Sequence, residues 1–302
     1  MNHLFRFIPL PGVCTLKRLL LLSLICGFSY NMYAGENNCS AETAAVNAFN
    51  NFIFIQERPF NDSVKEMKMH IKSSDDYIDN NAYVKFDGCG GLLILENNKV
   101  VKSRIKEHVI VSVFNIRINK QDENWRYNMT FKLSDIDQHG VDNTFMVQRQ
   151  HGKFLTDRNG KITKSEDTSY ATLGDERMKF KAETRFLSDK KGRLSKLDRV
   201  STQPNDSSNT RYFYDDKDRL TRTRSDTTTE EYTYTADGKQ SGSTMVQTFS
   251  TTETTVTICK DWNKFGRCTR AEQDITVLIE SENGEKDGVY KHHAEINYEY
   301  VY

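Results

Sequence analysis

The chain carries no excess of charge, few apolar residues and none of the common catalytic signatures. Its 42 Lys and Arg balance 42 Asp and Glu over 302 residues. That balance argues against nucleic acid and against an acidic membrane surface as partner, since both attract a basic excess. Only 37% of residues are hydrophobic and the mean hydropathy is −0.68. A thick core buried on both faces is therefore excluded, and half-exposed antiparallel sheet, which needs apolar residues on one face only, fits better. There is no Gly-x-Ser-x-Gly, no His-Glu-x-x-His and no Walker-type phosphate loop. His108, His139 and His151 stand apart in strand or turn contexts. No cofactor and no metal are expected. Cys-x-x-Cys spacing is absent, and the adjacent His292 and His293 would point to opposite faces of a strand.

The first 34 residues read as a signal peptide. Lys17-Arg18 precedes the apolar run Leu19 to Phe28, long enough for a signal core and too short to span a bilayer, and cleavage is placed after Ala34. Removing this leader leaves 39 basic and 42 acidic side chains, a net of −3. Residues 35–302 are then one β-rich domain, exported and periplasmic. A membrane-anchored lipoprotein is the variant, and contact with a membrane is expected only if a lipid is attached. Cys26 follows Ile25 and Cys39 follows Asn38, and neither position supplies the small residue that lipid attachment wants.

Four cysteines remain after cleavage, an even number that in an exported chain suggests two disulfides with three connectivities open. The local pair Cys259–Cys268 is preferred, which leaves Cys39 with Cys89. A four-residue loop from Asn263 to Gly266 would set Asp261 opposite Cys268 and Cys259 diagonally on the same face.

Read in order, the chain gives one candidate helix and then strands. Ser40 to Phe49 offers a Ser cap and several alanines, with Asn50 and Asn51 weakening it. Pro59 to Ser63 is a turn. From Glu66 to Ile71 the residues alternate, with Met67, Met69 and Ile71 on one face. Leu92 to Leu95 and Lys99 to Val101 read as two strands of a hairpin turning at Asn97-Asn98. His108 to Arg117 reads as a central strand, and Trp125, Tyr127, Met129 and Phe131 alternate again.

A repeat begins near residue 151. Lys153 to Ile162 aligns with Arg185 to Leu194, Arg211 to Leu220, Glu231 to Lys239 and Trp262 to Arg270, the turn residues Gly160, Gly192, Asp218, Gly238 and Gly266 lying at successive offsets of 32, 26, 20 and 28. Each copy enters a polar turn, usually through a Gly where a positive φ is needed. Uneven offsets exclude a solenoid of identical layers. The expected fold is all-β: an antiparallel meander of hairpins forming one curled sheet, with at most one short N-terminal helix. Ile296 to Tyr302 should supply the closing strand. The acidic turns Asp157 to Gly160, Asp237-Gly238 and Glu282 to Gly288 lack a full set of calcium ligands and read as turns.

Tyr212, Tyr214, Asp215, Arg219 and Leu220 make this repeat similar to the YD repeat of Rhs and teneurin-type proteins. Gly88-Cys89 with the following Leu92 to Val101 run, the Tyr212 to Asp216 hairpin, the Cys259–Cys268 bracket and the Tyr-rich C-terminus together resemble the YnfC-like family of uncharacterised enterobacterial envelope lipoproteins. That resemblance implies an envelope protein and supplies no catalytic residue.

The functional expectation is a non-catalytic binding or structural module whose partner is an envelope protein or a glycan. The candidate binding residues are Tyr212, Tyr214, Tyr232 and Tyr234, which would present a stacking platform or would only pair aromatically across strands. A hydrolase acting on envelope polymers is the alternative, and it requires a concave site where His and acid side chains converge.

Overall fold

The computed structural model describes residues 39–55, 64–105, 108–137, 139–249, 251–280 and 286–302. The expected leader, the turn at Pro59 and most of the Glu282 to Gly288 stretch lie outside them. The described residues form one helix, α1 (Ala41–Ile55), and sixteen strands. These are β1 (Glu66–Ser73), β2 (Ile78–Phe86), β3 (Leu92–Ile105), β4 (His108–Gln121), β5 (Asn124–Ile136), β6 (Asp142–Thr156), β7 (Ile162–Leu173) and β8 (Glu176–Ser188). They continue as β9 (Leu194–Ser201), β10 (Ser208–Tyr214), β11 (Leu220–Arg224), β12 (Thr228–Tyr234), β13 (Gln240–Thr248), β14 (Thr251–Trp262), β15 (Cys268–Glu280) and β16 (Lys286–Val301).

Every strand pairs antiparallel with its neighbours in sequence, and β1 pairs with β16 from Glu66 opposite Val301 to Ser73 opposite Ala294. The all-β antiparallel meander is therefore closed: a sixteen-stranded barrel replaces the expected open curled sheet. Closure pairs the two rows of N–H and C=O groups that an open sheet would leave bare. It also brings Met69, Ile71 and Ser73 of β1 beside Tyr298, Ile296 and Ala294 of β16, all buried on the inner face.

The repeated turn has one construction. A side-chain oxygen of its first residue accepts hydrogen bonds from the backbone N–H groups two and four residues on. Asp87 does so for Cys89 and Gly91, Asp157 for Asn159 and Lys161, and Asp189 for Lys191 and Arg193. Asp137, Asp215 and Asn263 repeat the pattern. The fourth residue takes a φ between 62° and 85°, at Gly90, Gly140, Gly160, Gly192, Asp218, Gly238 and Gly266. A Cβ is disfavoured there, which explains the recurring glycine. Six of these turns, beginning at Asp87, Asp157, Asp189, Asp215, Thr235 and Asn263, cap one end of the barrel. Each later offset in the sequence repeat is thus the length of one up-and-down strand pair.

Helix α1 enters the barrel at that end. The hydroxyl of Ser40 caps it by accepting from the backbone N–H of Thr43 at 3.0 Å. All seven residues from Phe49 to Ile55 are buried, so the last two turns are surrounded by barrel wall rather than lying on it. Phe54 meets Phe154 edge-on at 4.9 Å between centroids and Trp125 at 5.3 Å, while Phe52 meets Tyr212 at 5.6 Å. Asn50 donates to the Gly160 carbonyl and accepts from Ile162 N–H; Asn51 does the same with Gly90 and Leu92. The asparagines that weaken the helix as a sequence thus bind it to two turns. A disulfide between Cys39 and Cys89 fastens its N-terminus to the β2–β3 turn.

Two local expectations are corrected. Asn97-Asn98 is not a turn: β3 runs straight through it, with Asn97 buried and Asn98 exposed, because β2 and β4 pair along its length. The bond Cys259–Cys268 is formed, but Trp262 rather than Asp261 faces Cys268, and Cys259 faces Ala271. Asn263 to Arg267 make a longer loop than expected, and two register shifts bring both sulfurs to the inner side.

A polar trough on the outer wall as candidate binding site

Because side chains alternate across a strand, the faces of the barrel can be read strand by strand. Residues buried around α1 define the inside. The outer positions of β1 are then Glu66, Lys68, His70 and Lys72; those of β5 include Arg126, Asn128, Thr130 and Lys132; those of β8 are Arg177, Lys179, Lys181, Glu183 and Arg185. A barrel that spans a bilayer carries an outward apolar band about 25 Å tall. At those heights β1, β5 and β8 carry charged and amide side chains, while single apolar residues such as Tyr170, Val200 and Ile258 are exposed on other strands. No described helix is long and apolar enough to cross a membrane.

The outer wall is hollowed over β4 to β10 into a trough of about 1480 Å³. Register lines its side chains up in two ladders that run across the strands. One reads Asn119, Arg126, Lys153, Glu166, Glu183; the other reads Arg117, Asn128, His151, Thr168, Lys181. All but Arg117 line the trough. Most of the carboxylates are held by neighbours. Lys164 Nζ lies 3.0 Å from Glu166 and 2.7 Å from Glu183, Lys153 Nζ lies 3.4 Å from Glu166, and Arg185 Nε donates to Glu183 at 2.9 Å. Hydrogen bonds from Lys164 lead in holding both carboxyls below the ordinary range. His151 Nδ1 sits 2.6 Å from Asn128 Oδ1.

Beneath the trough lies a buried ion cluster. Arg199 donates to both oxygens of Asp167, at 2.7 and 3.1 Å, and to Asp206 at 2.9 Å, with all three side chains at most 4% exposed. Burial pushes the Asp206 carboxyl up, as does the second carboxylate, because one guanidinium cannot neutralise two acids. Beside it the ring of Tyr127 occupies the inner side of Gly152, where a Cβ would lie 2.2 Å from its Cζ. This glycine is required by packing.

A second, smaller hollow of about 840 Å³ spans β1 to β5 and β16. Its row of Asn297, His70, Asn81, Asn98 and Asn115 is continuous in register across five strands.

The four candidate tyrosines form no exposed platform. Tyr212 is buried against Phe52 of α1, and Tyr232 donates to buried Glu230 at 2.8 Å. Tyr214 donates to the Leu194 carbonyl at 2.8 Å with Arg193 over its ring, and Tyr234 donates to the Leu220 carbonyl at 2.7 Å with Arg219 over its ring. Each thus locks its strand to the preceding turn. Tyr300 repeats the device on the Cys268 carbonyl at 3.1 Å.

The nearest approach to acid–base machinery is at the opposite end of the barrel. His292 Nδ1 lies 2.6 Å from Asp75, its ring is stacked on Tyr77 at 3.6 Å, and Tyr77 donates to Glu253 at 3.4 Å. Burial and the Glu253 carboxylate push the Tyr77 hydroxyl far up, so it stays a donor. The four groups satisfy one another. Among the described residues no cluster of three or more His, Cys, Asp or Glu is arranged to hold a metal ion.

Sequence reasoning missed the ladders, because only the register shows which residues of different strands stand side by side. Alternation of polar residues was the available signal.

No family model matches the chain, and no curated protein sequence matches it. Among solved structures it is similar to a porin-like protein from Bacteroides uniformis, with a TM-score of 0.42 and 10% identity over 80% of this chain and 98% of that one. A likeness at that level bears on neither function nor location.

Proposed function

We propose that the protein is an exported, water-facing barrel that works by binding, with the outer trough over β4 to β10 as its ligand surface. The observation that supports this most is the division of faces: apolar side chains pack inside around α1, while the outer wall presents ranked charged and amide groups. Such a wall is ill suited to lipid, where a single outward Lys or Arg at mid-depth costs about 2–4 kcal/mol. Planar polar side chains with donors and acceptors in fixed rows suit a polar ligand that lies along them. Export rests on the leader and on the two disulfides, which persist in oxidising compartments.

The test places a photo-crosslinking residue at Asn128 in the trough and, separately, at Thr254 on the outer face of β14, in cells producing the full chain. The protein should be released without detergent, and crosslinked species should form from position 128 and not from position 254. A requirement for detergent, or equal crosslinking from both walls, would overturn the reading.

A further inference from the structure

We infer that the trough takes an acidic polysaccharide in extended form, lying across the strands so that successive sugar residues meet successive strands. This deepens the proposed binding function and rests on it.

Direction comes from the ladders. They run perpendicular to β4 through β8, and neighbouring strands lie about 4.8 Å apart, close to the rise of one residue in an extended glycan chain. A polymer laid along a ladder therefore meets a fresh polar side chain at each residue.

The sign of the charge comes from counting what is already paired. Glu166 and Glu183 are each held by two cations, Asp198 is held by Lys196 at 2.8 Å and by Asn209 at 2.6 Å, and Asp167 is held by Arg199. By contrast Arg126 on β5 and Lys181 on β8 have no acidic partner among the described residues. They stand three strands apart, about 14 Å, on the two ladders. The uncommitted charge of the ladders is thus positive, with Asp226 the lining acid that stands off them, and planar carboxylates are what an arginine fork binds in two-point fashion.

Nucleic acid has the same sign but fits worse. It would bring a phosphate at every residue to a surface where Glu166 and Glu183 stand side by side next to Lys153, and it would need exposed aromatic rings on which to stack bases. The ladders hold no Phe, Tyr or Trp, and their one ring, His151, is tied to Asn128.

Binding to the purified, disulfide-bonded protein is measured by calorimetry with an oligogalacturonate, a maltodextrin of equal length and a single-stranded oligothymidylate of matched length. The acidic glycan should bind about tenfold or more tightly than the neutral one, and the Arg126→Ala/Lys181→Ala variant should lose about tenfold or more of that affinity. A Lys68→Ala/Lys72→Ala variant on another part of the wall should bind as the parent does. Both variants change outward side chains, and unaltered thermal midpoints would verify the fold. Equal binding of the maltodextrin, tighter binding of the oligothymidylate, or no binding of the oligogalacturonate overturns the inference. In the last case, crosslinking from position 128 would show that the trough binds something else, so the ligand class falls while the binding function stands.

Discussion

The two ends of the barrel interior are filled by different chemistry. At the end where α1 enters, Phe52, Phe54, Trp125, Phe154 and Ile162 pack as a conventional apolar core. Beyond it the same strands turn polar inside: Gln148, Gln150, Asp167, Ser169, Arg199 and Glu230 are all buried. The difference shows how a sixteen-stranded wall is supported. A barrel of this strand number encloses more space than its own side chains readily fill. One end solves this with an inserted helix, and the rest solves it with large polar groups that bond to one another across the inner wall. An apolar contact tolerates some slippage; a buried ion cluster does not, so the polar half should be the more brittle.

Arg199→Met tests that brittleness and should have the largest effect. It leaves Asp167 and Asp206 facing each other without their cation, at a cost of about 3–5 kcal/mol. Adding Asp167→Asn and Asp206→Asn should recover much of the loss, since the penalty lies in the stranded charges. Phe54→Ala is the matching test at the helix end. Removing a ring that touches Trp125 and Phe154 should cost about 3–5 kcal/mol before relaxation, and no second substitution of comparable simplicity should restore it. Denaturant midpoints of the three proteins measure both. If the triple variant is as unstable as Arg199→Met alone, the polar half is held by packing and the contrast between the ends fails.

Glu230 sharpens the comparison through pH. Its carboxyl is pushed up by burial, although the Tyr232 hydroxyl partly offsets this by donating to it. The folded protein then keeps a proton that the unfolded chain has released. Stability should be full below the ordinary carboxylate range and should fall as pH rises from there through the raised value. Glu230→Gln removes this contribution: its melting temperature should exceed that of the parent at pH 8 and match it at pH 4. A difference between variant and parent that stays the same from pH 4 to pH 8 would contradict the assignment.

The helix end was also the more legible in the sequence, for a physical reason. Alternation in Met67, Met69 and Ile71 and in Trp125, Tyr127 and Met129 announces strands with one buried face. Asp or Asn three residues before Gly announces the repeated turn, because the side chain and the positive φ are both local. Ile296 to Tyr302 read as the closing strand, but the strand it closes on was not legible, since pairing β1 with β16 depends on the sum of sixteen strand tilts and registers. Asn97-Asn98 has the composition of a turn and was overruled by its partners on both sides. Asn50 and Asn51 look like defects in a helix until the turns they bind, some 40 and 110 residues away, are in place. The trough lay furthest from reach. Arg126 and Lys181 are unremarkable surface residues until the register sets them on ladders that cross five strands.

Outside the barrel, the comparison extends to a region where little should depend on any one residue. Glu183 sits on the exposed wall between Lys164 and Arg185, 2.7 Å from the first. Exposed pairs of this kind are screened by solvent and salt and contribute little each. Glu183→Gln should therefore leave the denaturation midpoint unchanged within error, in contrast to any substitution of the buried triad. Its effect should appear in the trough instead: freeing Lys164 and Arg185 adds uncommitted positive charge beside Lys181, so an acidic glycan should bind the variant more tightly than the parent at low salt. Raising the salt concentration should erase the gain, because a change made only of exposed charge is lost to screening. A gain that survives high salt would mean that Glu183 shapes the trough rather than its charge.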